Sequence, residues 1–153
     1  MTRVLVALDD SPVSMRAART ARALFAAEGT EFIVINVMRV PLPWVPVGGY
    51  GDAWPMDPLL WDQIDADARE RERRELRDEA EHAGLPNAET LLESGDPAHA
   101  IVRAAEDHDV DVIVVGSHDK GLVRRLWDRS VADGVVHGTS RPVLVVGAPP
   151  DAH

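Results

Sequence analysis

Four consecutive apolar residues, Val112-Ile113-Val114-Val115, stand between Asp111 and Gly116-Ser117-His118. No other feature restricts the fold as strongly. A β-branched run of this length reads as a strand, and with no polar position it must be covered on both faces. Such strands belong to parallel sheets sandwiched between helices. Val4–Leu8 (VLVAL) repeats the pattern near the amino end and is therefore also expected to be a central strand. In open parallel sheets ligands sit just beyond the carboxyl ends of the strands, where Gly116 and Ser117 are expected. Further on, Ser130-Val131-Ala132-Asp133 reads as a capping box with Ser130 at the N-cap of a helix. A loop of glycine and hydroxyl residues ahead of a helix N-terminus can hold an anion on backbone N–H groups. These residues therefore point to a phosphate site.

The remaining segments fit the same architecture. Ser11 and Pro12 open a helix expected to run to about Glu28, with Ala18, Ala21, Leu24 and Phe25 on its buried face. Gly29 ends it, and Phe32–Val37 is a second strand. Met38 to Trp61 holds five prolines, three glycines and three of the four tryptophans, so it is read as irregular, with Trp44, Trp54 and Trp61 pinning it to the body. The run 62–83 is a charged helix with the narrow apolar stripe Leu60, Ile64, Ala68, Leu76 and Ala80. Ala88–Ser94 is a weaker strand near an edge. Asp96 caps a helix starting at Pro97, and Val143–Val146 is the fifth strand. Strands alternate with helices throughout, which predicts a single parallel, doubly wound α/β domain over residues 1–148, with a loose tail at 149–153.

Composition removes whole classes of function. The net charge of −10 excludes the basic surface that nucleic acids and anionic membranes require. There are no cysteines, hence no disulfide, thiol catalysis or zinc–thiolate site. The opening MTRVLVAL fits a strand better than a signal peptide, and no segment has the length of a membrane span, so a cytoplasmic location is expected. The six histidines lack metal-ligand spacing. Ser117 has no base nearby in sequence, and there is neither a Gly-Lys-Ser/Thr phosphate loop nor a G-x-G-x-x-G turn. At most a slow ATPase is expected.

Three stretches, VLVALDDSPVSMRAARTA, GDPAHAIVRAAEDHDVDVIVVGSHDKG and SVADGVVHGTSRPVLVV, together resemble the universal stress protein family. The resemblance implies a Rossmann-like sheet in the order 3-2-1-4-5 with helices on both faces, a cytoplasmic stress-response role and a homodimer. It also implies ATP or a related adenine nucleotide, with Mg2+ as the accompanying ion. ATP-binding members carry Gly, two residues, Gly, nine residues, Gly, then Ser or Thr. Here these positions are Gly116, Asp119, Arg129 and Ser130, so two of the three glycines are missing. Asp119 places a like charge at the phosphates. Arg129 either pairs with a phosphate or fills its place.

On the adenosine side the resemblance assigns Asp9 to base and ribose, Ala7 to the same strand end and Val37 to the backbone that meets adenine. Ser117, His118 and Val131, next to these positions, complete the candidate site, His118 being either a phosphate contact or an exposed loop histidine. The second reading is a homodimeric interaction protein of the same fold that binds no nucleotide. In either case the dimer is expected to form through the Val143–Val146 edge, an apolar strand that neither lysine nor internal proline blunts.

Overall fold

The computed structural model describes residues 1–38, 58–117 and 131–149, the backbone alone for 58–65. The elements are β1 (Thr2–Ala7), α1 (Pro12–Phe25), β2 (Thr30–Met38), α2 (Pro58–His82), β3 (Glu89–Ser94), α3 (Pro97–Asp107), β4 (Val112–Ser117), α4 (Val131–Gly138) and β5 (Val143–Gly147). All strand pairs are parallel, and the sheet order is β3-β2-β1-β4-β5. β1 and β4 lie side by side in the middle, and both faces of their apolar runs are covered.

Strand alternation sends successive residues to opposite layers. Val4, Val6, Val34, Val112 and Val114 pack with α1 and with Leu76, Ala80 and Ala83 at the end of α2. Leu5, Ile33, Ile35, Ile113 and Val115 pack with Ile101, Ala104 and Ala105 of α3 and Ala132 and Val135 of α4. Helix starts follow local capping. The Ser11 hydroxyl accepts from Ser14 N–H with Pro12 in the first turn, and the Asp96 carboxylate accepts from His99 N–H ahead of Pro97.

Several boundaries differ from the sequence reading. α1 ends at Phe25, and Leu24 is 62% exposed. Its buried stripe is Val13, Ser14, Ala17, Ala18 and Ala21, and Phe25, one step further round the helix, takes the contact expected of Leu24. Pro58–Trp61, expected in the irregular stretch, forms the first turn of α2, where a proline's missing N–H costs nothing. Ala68, placed on the apolar stripe, is exposed. The anchoring expected of Trp44, Trp54 and the Trp61 side chain lies outside what is described.

β4 continues through Gly116 and Ser117, which were expected beyond its end. β5 supplies the partners, with Gly116 beside Val146 and Ser117 beside Gly147.

Candidate functional site at the carboxyl ends of the central strands

The sheet opens where β1 and β4 part. They pair only as far as Val6 beside Val114. Beyond that, β1 stays with β2: Ala7 lies beside Ile35 and Leu8 N–H donates to the Ile35 carbonyl at 2.9 Å. The Asn36 amide donates to the Leu8 carbonyl at 2.9 Å and extends the hold. β4 meanwhile follows β5 to Ser117. The result is a crevice at the point where the strand order reverses, bounded by Ala7–Asp9 on one side and Val115–Ser117 on the other.

Asp9 sits in a fixed turn. Its carboxylate accepts from Ser11 N–H at 2.8 Å. The Ser14 hydroxyl, only 6% exposed, accepts from Asp9 N–H at 3.0 Å and lies 2.8 Å from the Asp9 carbonyl and 3.0 Å from that of Ser11. One hydroxyl thus pins the turn from inside. Neither Ser14 nor Asn36 was singled out from sequence. The available signals were a polar residue on the alanine stripe of α1 and an asparagine inside the apolar run of β2.

The named site residues divide between the faces of the sheet. Ala7, Val37 and Val131 are half-buried and pack against one cluster on the α3/α4 side. Ser117, in step with Ile113 and Val115, belongs to the same face of β4. Gly116 belongs to the other. A Cβ added there would meet Val13 Cγ1 at 2.6 Å and the Val13 backbone at 3.1 Å. Its bareness lets the first turn of α1 lie against β4. Val131 opens α4. His118, Asp119, Arg129 and Ser130 lie outside the described residues.

The flank towards α2 is acidic. Glu79 is held above its ordinary pKa by partial burial first, then by Asp10, Asp9, Glu75 and Glu72. Hydroxyl donors suit such a field and additional anionic groups do not. Among the described residues no group of three or more His, Asp or Glu could hold a metal ion, and no helix is long and apolar enough to cross a membrane.

A doubly wound parallel sheet with its crevice at the reversal of strand order defines a class of α/β domains that take ligands at the strand ends. The chain belongs to the Universal stress protein family, whose model matches residues 1–147. It is 34% identical over 145 residues to the universal stress protein in the QAH/OAS sulfhydrylase 3' region of Thermus aquaticus, covering 94% of this chain and 96% of that one. A universal stress protein in complex with cAMP superposes with a TM-score of 0.58 at 24% identity, covering 95% of each chain. An Arabidopsis thaliana family member with AMP bound gives a TM-score of 0.62 at 19% identity, covering 99% of this chain and 94% of that one. At these identities the structural likeness concerns the fold.

Proposed function

We propose that this chain is an adenine-nucleotide-binding stress module of the cytoplasm, with its ligand in the crevice between Asp9 and Ser117. The observation that carries the reading is the parting of β1 and β4 beside the half-buried ledge of Ala7, Val37 and Val131. The ledge offers a flat apolar seat for a base, and Asp9 offers a carboxylate to ribose hydroxyls. The AMP and cAMP held by two proteins of the same fold support the choice of nucleotide. His118, Asp119, Arg129 and Ser130 are assigned to the phosphate side. Because Asp119 repels added phosphate and the α2 flank is acidic, a nucleoside monophosphate is held more tightly than ATP. Mg2+, where it accompanies a triphosphate, would be held chiefly by phosphate oxygens and water. The function proposed is binding, with no reaction assigned.

Calorimetry with AMP, cAMP and ATP tests this. AMP or cAMP is expected to bind more tightly than ATP, and Asp9→Ala to abolish measurable binding. Asp119→Gly should tighten ATP by about fivefold, the effect of removing a like charge worth about 1 kcal/mol at a partly exposed site. Arg129→Gly decides that residue's part: weaker binding makes it a ligand, tighter binding an obstruction. Absence of saturable binding by all three nucleotides at millimolar concentration would overturn the reading.

Assembly into a homodimer, which accompanies either this reading or that of an interaction protein binding no nucleotide, is favoured by a separate observation. Val145 on the edge strand β5 is 43% exposed and Val136 on the adjoining α4 is 45% exposed. Two copies meeting about a two-fold axis through β5 would cover both side chains and pair the open edge.

A further inference from the structure

At the opposite, amino end of the sheet a groove of about 670 Å³ opens between the end of α1 and the turn from α2 into β3. It exists because α1 stops at Phe25 while β2 starts at Thr30, and because the chain leaves α2 through Gly84 at φ +85. Arg3, Arg22, Glu31 and Glu89 supply its charge, and Phe32 and Leu85 are among its apolar lining. Its size falls within the range of roughly 300–1,000 Å³ typical of small-molecule sites.

The charges are not equivalent. Glu31 is held by Arg3 Nε at 2.9 Å, and Glu89 faces His108 Nδ1 at 4.0 Å. Arg22 has no side-chain hydrogen bond or ion pair among the described residues. Its guanidinium lies against bare backbone: a Cβ on Gly84 would come within 2.5 Å of Arg22 Nη1. The dipole of α1 accounts for a cation in its last turn. It does not account for a guanidinium seated over a glycine in a groove that also holds a half-buried phenyl ring.

We infer that this groove is a second ligand site, for a small organic monocarboxylate with an aromatic or branched apolar body, its carboxylate on Arg22. The planar fork of a guanidinium matches a carboxylate in bidentate fashion. Phe32 and Ala88, both half-buried, receive the apolar body. Two arginines balanced by two glutamates, within a chain of net charge −10, hold no surplus for a phosphate or polyphosphate. The site lies at the other end of the strands from the nucleotide crevice and stands independently of that reading.

The test is an amide-resolved NMR titration of the full chain with phenylacetate, and with inorganic phosphate in parallel. Phenylacetate is expected to give saturable shifts at Phe32, Gly84 and Ala88 and none at Asp9 or Ser117. Phosphate is expected to give none. Arg22→Gln, at an exposed position, should weaken phenylacetate by about tenfold or more. Glu89→Gln, which removes a like charge from the rim, should tighten it about two- to fivefold. The inference is overturned by shifts that fail to saturate at tens of millimolar, by shifts centred on Asp9 and Ser117, by phosphate binding as well as phenylacetate, or by affinity unchanged in Arg22→Gln. Equal or weaker binding in Glu89→Gln also counts against it, whatever the fate of the Arg22 variant.

Discussion

Gly116 on β4 and Val13 at the start of α1 are in direct packing contact, close enough that a Cβ on the glycine would lie 2.6 Å from Val13 Cγ1. The valine side chain can turn, but its backbone, at 3.1 Å, is fixed by the Ser11 cap. Gly116→Ala should therefore destabilise the fold by about 1–3 kcal/mol, the usual cost of overpacking a core. Urea denaturation reads this directly. A variant as stable as the wild type would mean that α1 yields, and that the glycine serves something other than packing.

Ser14 is the one buried polar side chain among the described residues and is tied to Asp9 and Ser11. Ser14→Ala leaves the Asp9 N–H without its acceptor inside the turn. A loss of about 1–3 kcal/mol is expected, seen as a lower urea midpoint with an unchanged slope. Since the same turn carries Asp9, nucleotide affinity should fall as well. Weakened stability with unchanged affinity would separate the turn from the site.

Glu79 gives a pH signature. Its folded pKa is raised, by burial and then by the acidic neighbours Asp10, Asp9, Glu75 and Glu72. The folded state therefore holds this proton more tightly than the unfolded chain. Its unfavourable contribution is full above the folded pKa and fades as pH falls towards the unfolded value. Glu79→Gln should raise the melting temperature near pH 7, and the gain should shrink by about pH 4. A gain that grows on acidification would contradict the assigned cause.

Val145 is the position at which assembly can be tested without disturbing the interior. It is 43% exposed on the outer strand, so Val145→Lys leaves the protomer core intact. The substitution puts a charge on the edge and should shift the proposed dimer towards monomer in light scattering. A wild type that is monomeric at high concentration would remove the edge strand from consideration.

Much of the fold was legible in local chemistry. The two-faced apolar runs of β1 and β4, the caps at Ser11 and Asp96 and the prolines after them act within a few residues, so their signal survives in one dimension. The sheet order came from resemblance, because strand runs do not say which of them are neighbours. The site was legible in part. Ala7, Val37 and Val131 are far apart in the chain, and only the parallel register sets them on one ledge of the α3/α4 face. Gly116 reads locally as a bare approach to a ligand, and its closeness to Val13 is visible only in space. Leu24 has helical spacing for burial, yet Phe25, one step further round α1, is the residue that packs on the core. Arg22 and Gly84 carry no shared pattern, and they meet only because α1 and α2 both descend to the amino end of the sheet. The sequence by itself determined which segments are strands and helices and that both sheet faces are covered, since period and capping are short-range. The tertiary structure alone decided which face each side chain takes and which distant residues touch, because those follow from the register of strands and the depth at which helices pack.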